Sequence, residues 1–108
     1  MTEFQIEIER AVSWFGEKAK LLKNTDITMA EVHANSVNVP SARADFDSEN
    51  FIGRISIWAT GEIDFEVLKR SDGEFSFFRH ETVSKLQTPV LDHAYDEFVR
   101  SMGTAKIS

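Results

Sequence analysis

The sequence contains no cysteine, no long apolar run and fewer basic than acidic residues. Without cysteine the chain can form neither disulfide bonds nor a thiolate metal site, and it has no cysteine nucleophile. No apolar stretch approaches the length of a membrane span, and the N-terminal MTEFQIEIER lacks the basic and apolar regions of a secretory signal. We therefore expect a soluble, cytoplasmic protein whose stability comes from packing.

The shortage of basic residues bears on the possible partners. Twelve Lys and Arg residues against 18 Asp and Glu residues give a formal net charge of -6. Such a field repels nucleic acid phosphates and anionic lipids, and it accelerates encounter with a basic protein. We expect no nucleic acid partner and no membrane partner.

The length of 108 residues, 42% of them hydrophobic, predicts a single globular domain over residues 1–108. Its first segment has the apolar spacing of an amphipathic helix over about residues 3–23, with a candidate capping box at Thr2 and Gln5 and a stop near Asn24. The apolar positions with this spacing are Phe4, Ile8, Ala11, Val12, Phe15, Ala19 and Leu22.

A second helix is predicted near the end of the chain. Thr88 is a typical N-cap, Pro89 suits the first helical position, and Gly103 is a typical stop. The apolar stripe of this helix comprises Leu91, Tyr95, Phe98 and Met102.

About five strands are expected between the helices. The β-branched residues of segment 26–34 indicate a strand whose inward face stays open, segment 42–47 alternates apolar with charged residues, and residues 51–59 form the next strand. EIDFEV, residues 62–67, alternates three carboxylates with three apolar side chains. The last strand follows the turn around residues 70–75.

Two turns, WATGEI and RSDGEF, each place a Gly before a Glu, which fits three-residue hairpin loops at residues 59–61 and 71–73. The predicted cross-strand pairs are Trp58 with Glu62, Ile57 with Ile63, Ile55 with Phe65, Gly53 with Val67, Lys69 with Phe75, Val67 with Phe77 and Phe65 with Arg79. Two-residue loops would move every side chain to the other face. The result is an α+β fold: an N-terminal helix, an antiparallel meander sheet of about five strands and a C-terminal helix, with both helices on the Phe65 and Phe77 face.

The opposite face of this sheet combines carboxylates with aromatic side chains. It carries Arg43, Asp45, Arg54, Ser56, Trp58, Glu62, Asp64, Glu66, Leu68, Phe78 and His80. Arg54 lies opposite Glu66, and Asp64 lies opposite His80, so cross-strand contacts compensate part of the negative charge. A solvated face explains the charges alone, but large aromatics such as Trp58 and Phe78 favour a protein interface.

The sequence gives little support for catalysis. The carboxylates of EIDFEV stand regularly on an open face, where they lack the dry pocket that acid–base chemistry requires. His80 beside Asp64, or His93 one turn from Glu97, could bind a cation, but solvated surface positions account for both. We expect no enzymatic activity, no catalytic residues, no cofactor and no bound metal.

The run SARADFDSENFIGRISIWATGEIDFEVLKRSDGE, residues 41–74, resembles the central sheet of bacterial immunity proteins from polymorphic toxin and contact-dependent inhibition systems. More narrowly it resembles the TriTu immunity proteins, in the acidic DFDSENF, in IGRISIW, in the Gly-Glu turn at Gly61 and Glu62, and in the strand alternating acid with apolar residues. The resemblance implies a cytoplasmic protein that binds a cognate toxin and blocks it by occlusion, without chemistry of its own.

The candidate partner-binding residues are Glu62, Asp64, Glu66, Trp58, Arg54, Phe78 and His80. If the toxin is a basic nuclease domain, the acids could take the place of phosphates and speed association. Two other functions stay open: a ligand-binding or regulatory domain that uses Trp58 and Phe78 for stacking, and a homodimeric module that buries them.

Overall fold

The computed structural model describes residues 6–36 and 38–103, which form two helices and one five-stranded antiparallel sheet. The elements are α1 (Ile8–Leu21), β1 (Thr28–Asn35), β2 (Ser41–Asp47), β3 (Phe51–Trp58), β4 (Glu62–Lys69), β5 (Phe75–Thr82) and α2 (Pro89–Ser101). The strands lie in the order β1-β2-β3-β4-β5, so each strand pairs with its neighbour in sequence. The predicted α+β class and meander topology are confirmed.

Helix α1 begins later than predicted. Glu7 is its N-cap in an extended conformation, with no side-chain capping bond. Just before it, Ile6 is buried, and its N–H donates to the carbonyl of Ala59 at 3.0 Å, so the chain here is tied to the sheet instead of continuing the helix. The predicted capping box and Phe4 lie outside the described residues.

The end of α1 is close to the prediction, because Asn24 has a φ of 67°, which a helix cannot continue through.

The buried side of α1 also differs from the predicted stripe. Trp14 is buried beside Phe15, with their ring centroids 5.4 Å apart, whereas Val12 is exposed. Trp14 follows Ala11 by three positions and packs edge-on against Tyr95 of α2 at 5.6 Å. The inward stripe of α1 is therefore centred on the Trp14–Phe15 side.

Helix α2 forms as predicted. The Thr88 hydroxyl accepts a hydrogen bond from the Leu91 N–H at 3.0 Å, Pro89 is the first helical residue, and Gly103 follows the helix with a φ of 94°. Its four predicted stripe residues are all buried.

The core lies between the helices and one face of the sheet. The helices contribute Ala11, Trp14, Phe15, Leu22, Leu91, Ala94, Tyr95, Phe98 and Met102, and the strands contribute Ala42, Ala44, Phe46, Ile55, Ile57, Ile63, Phe65 and Val67. Gly53 permits α2 to lie close to β3, because a Cβ at this position would stand 2.7 Å from both Met102 Sδ and Phe98 Cζ. Both helices therefore pack on the Phe65 face, as predicted.

The predicted register holds at the first hairpin and, in the second, for Val67 with Phe77 and Phe65 with Arg79, but it breaks next to the second turn. Ile57 pairs with Ile63 and Ile55 with Phe65, as a three-residue loop requires. In the second hairpin the register shifts between Val67 and Leu68, and the described pairs are Val67 with Phe77, Phe65 with Arg79 and Leu68 with Phe75. The predicted pairing of Lys69 with Phe75 is therefore wrong.

The reason lies in the longer loop between β4 and β5. The Lys69 N–H donates to the Glu74 carbonyl at 3.0 Å, and the Gly73 N–H donates to the Lys69 carbonyl at 2.8 Å. Asp72 Oδ1 accepts from the Glu74 N–H at 2.9 Å and fixes this conformation. Five residues thus separate the strands, and a β-bulge at Ser76 turns Phe75 to the face away from the helices.

Candidate functional site

The face of the sheet opposite the helices, called here the outer face, collects the residues that the sequence analysis singled out. Cross-strand pairs join Asp45 to Arg54, Arg54 to Glu66, and Glu66 to Phe78 across four strands. A second row of pairs joins Arg43, Ser56, Asp64 and His80. These side chains share one face because the register between β2 and β5 is regular over this region.

Arg54 makes a different ion pair from the one its cross-strand position indicates. It stands opposite Glu66, but its Nε donates to Asp45 Oδ1 on β2 at 2.7 Å. This hydrogen bond, helped by the charges of Asp45 and Glu66, raises the pKa of Arg54 above its ordinary value. The guanidinium is thus fixed on the β2 side of the face and leaves the Glu66 carboxylate without a direct contact to it.

His80 and Asp64 form the contact that the register predicts. His80 Nδ1 lies 2.5 Å from Asp64 Oδ1, and this hydrogen bond raises the pKa of His80, with smaller charge contributions from Asp64, Glu62 and Glu81. Because the His80 side chain is 44% exposed, solvent screens the pair and its contribution to stability is small.

The pKa shift gives a testable expectation. Titration of His80 by NMR should give a pKa above the ordinary value of about 6.5, and Asp64→Asn should return it towards that value. Since the folded state favours the protonated imidazole, the stabilisation is complete at pH below about 6.5 and is lost as the pH rises through the raised pKa. Equal His80 pKa values in the two proteins would contradict the contact.

Glu62 and Glu66 remain as free carboxylates of the outer face. Neither forms an ion pair with another residue of the described ranges, whereas Asp45 and Asp64 are both engaged. Glu62 is exposed and Glu66 is half-buried. The face therefore offers two unpaired negative charges four positions apart on one strand.

An apolar group with exposed side chains, of which the sequence pattern predicted only Leu68 and Phe78, lies at the end of the outer face near the β4–β5 loop. We call it the apolar corner; its members are Ile52, Leu68, Phe75 and Phe78. The rings of Phe75 and Phe78 meet edge-on at 5.8 Å and are 60% and 54% exposed, while Ile52 and Leu68 are cross-strand partners. The β-bulge completes this group by adding Phe75, which would point towards the helices without it.

Trp58 does not belong to the apolar corner. It lies at the other end of β3, beside a hollow of about 280 Å³ that is also lined by Arg43 and Arg54. From strand spacing, Trp58 and Phe78 stand roughly 16 Å apart, four positions along the strands and two strands across. The two aromatics that the sequence analysis grouped together thus mark opposite ends of the outer face, with the carboxylates between them.

A comparison of the sequence with models of protein families identifies the family of this protein. The family model described as immunity protein TriTu matches residues 3–101. The chain belongs to the TriTu family of immunity proteins. Immunity proteins neutralise toxins, and such families are typically non-enzymatic. A search of curated proteins found no match.

The helix side of this immunity protein carries a hollow of about 680 Å³ between α1 and the segment before α2. The hollow is open, and Trp14 and Ile6 line it together with charged side chains of both signs.

Near this hollow, Lys18 Nζ lies 4.8 Å from the centre of the Tyr95 ring. The Tyr95 hydroxyl is buried without a hydrogen-bond partner in the described part of the chain. Burial raises the pKa of Tyr95 to about 12, so the hydroxyl stays neutral.

His93 and Glu97, considered above as a cation site, belong to an ion cluster at the edge of the sheet. Glu97 Oε1 accepts from Arg79 at 2.7 Å, Glu97 Oε2 lies 3.3 Å from His93 Nε2, and Arg79 also bonds Glu81. The hydrogen bond from Arg79 lowers the pKa of Glu97. Within residues 6–36 and 38–103 no three His, Asp or Glu side chains come together in a way that could hold a metal ion.

Neither helix within residues 6–36 and 38–103 has the length and apolar character of a membrane span.

Proposed function

We propose that this protein neutralises a cognate toxin by binding the toxin's catalytic domain through the outer face and covering its active site. The observation that carries the proposal is the composition of that face: it combines two unpaired carboxylates with an exposed apolar corner, with Glu66 directly opposite Phe78 and Glu62 four positions away along β4. Interfaces combine aromatic centres with charged rims, whereas a merely solvated face has no use for adjacent exposed aromatics.

The charge supports a basic partner. A net charge of -6 with unpaired acids on the binding face would attract a positively charged toxin domain and raise the association rate. If that domain is a nuclease, Glu62 and Glu66 occupy positions that substrate phosphates would take. The chain then acts as one domain in the cytoplasm; a core that both helices share with three strands supports the single domain.

The first test is recovery of the partner. A tagged form of the protein, expressed in its native bacterium, should retain one toxin in stoichiometric amount, and the purified protein should abolish the activity of that toxin. Recovery of the protein alone, as a dimer or with a small ligand, would contradict the proposal and favour one of the alternatives.

The contribution of the acids can be isolated by charge reversal. The double variant Glu62→Lys/Glu66→Lys should weaken toxin binding by about 10- to 100-fold at low salt, with a smaller difference at high salt because screening removes the attraction. The matched control is Glu9→Lys/Glu17→Lys, two exposed acids of α1 whose reversal changes the net charge equally. Equal effects of the two variants would mean that total charge, and not the outer face, governs binding.

A further inference from the structure

The sheet ends at β5, and in the described part of the chain no strand pairs with its free side. The Val83 N–H donates to the Gly61 carbonyl at 2.8 Å, and these residues continue the register that pairs Glu81 with Ile63. In an antiparallel ladder every second residue bonds to the same neighbour. The main-chain groups that point away from β4 therefore belong to the alternate residues, Phe78, His80 and Thr82.

The opposite edge of the sheet is different. In β1 the register shifts between Met29 and Val32, so an irregularity interrupts the row of main-chain groups. Such bulges are a common way of preventing an edge from pairing with another chain. The β5 edge is regular over residues 77–82, where pairing with β4 has no shift.

Both sides of the β5 edge provide places for the side chains of an added strand. On the helix side, a hollow of about 370 Å³ lies beside α2, lined by Phe77, Glu97, Arg100 and Ser101. On the outer side, the edge borders Phe78 of the apolar corner. An extended segment bonded to β5 would place alternate side chains in these two positions.

We propose that the β5 edge is a docking site for an extended segment of the toxin, which pairs with the main chain of Phe78, His80 and Thr82. This inference rests on the proposed function. A second copy of the chain is a poorer occupant, because two molecules of charge -6 repel each other, whereas a basic toxin is attracted. The side chains of the segment that face α2 are apolar next to Phe77 and polar towards Arg100 and Ser101, because Glu97 is already paired with Arg79.

Amide hydrogen exchange tests the docking site directly. The probe is a catalytically inactive form of the toxin domain that the protein silences. In the complex, exchange of the Phe78, His80 and Thr82 amides should slow by about 100-fold or more, while the Arg79 and Glu81 amides, already bonded to β4, should change less. A complex in which these three amides exchange as in the free protein would overturn edge docking and leave the proposed function standing. Absence of any complex would overturn both.

A proline variant provides the second test. Thr82→Pro removes one N–H from the free edge without removing a bond to β4, and it should weaken toxin binding by about tenfold or more. Thr82→Ala and Ala34→Pro, which makes the same change at the β1 edge, should bind within about twofold of the original protein. Circular dichroism and thermal unfolding verify that each variant folds. Equal weakening by Thr82→Pro and Ala34→Pro would contradict the proposal.

Discussion

Replacing Phe98 by alanine is expected to lower the free energy of unfolding by about 3–5 kcal/mol, the range for removal of a fully buried aromatic side chain. Phe98 has no exposed surface, and its ring centre lies 4.9 Å from that of Phe46 and 6.1 Å from that of Phe65. It joins α2 to two strands of the sheet. Urea denaturation followed by circular dichroism gives the change. The control is Phe75→Ala, which removes an exposed ring and should cost about 0.5 kcal/mol or less.

A substitution at Gly53 provides a second test of the packing of α2, because Gly53 faces the ring of Phe98. Gly53→Ala alone should cost about 1–3 kcal/mol, since the new Cβ would overlap Phe98 Cζ and Met102 Sδ. In the Phe98→Ala background part of that overlap is gone, so the two changes should cost less together than their sum. Additive costs, or a loss below about 1 kcal/mol for Phe98→Ala, would show that α2 does not pack on β3 in this way.

The parts of the fold that the sequence predicted correctly are those where the local residues favour a single backbone conformation. Thr88, Pro89 and Gly103 define α2 because a cap, a fixed φ and a left-handed φ each suit one place in a helix. The β3–β4 register followed from opposing apolar residues, since a shift by one would bury carboxylates.

The parts of the fold that the sequence did not predict are those where the local residues allow two backbone conformations and contacts with the rest of the protein select one. RSDGEF and WATGEI carry the same Gly-Glu signal, but Asp72 bonds the Glu74 N–H and lengthens the second loop. The start of α1 was misplaced for a similar reason, because the main-chain bond from Ile6 to Ala59 competes with another helical turn. On the outer face, the carboxylates and two members of the apolar corner, Leu68 and Phe78, follow from the sequence pattern, whereas the position of Phe75 depends on the bulge and does not.

The apolar corner leads to the largest expected effect on binding. Phe78→Ala should weaken toxin affinity by about 30-fold or more, the loss typical of an aromatic residue at the centre of an interface. Phe78 is suited to this role because its ring is exposed, contacts Phe75 and stands directly opposite Glu66. Titration calorimetry with the inactive toxin domain measures the change.

The control for Phe78 is Leu21→Ala, which removes a 66% exposed apolar side chain from α1 on the other side of the molecule and should leave affinity unchanged.

The salt dependence of binding then separates the apolar contribution to affinity from the electrostatic one. Phe78→Ala should weaken binding equally at low and high salt, because it removes apolar contact, whereas reversal of Glu62 and Glu66 should act mainly at low salt. If Phe78→Ala and Leu21→Ala bind alike, the outer face is not the toxin-binding surface. If Phe78→Ala weakens binding while Thr82→Pro does not, the toxin lies on the face of the sheet and leaves its edge free.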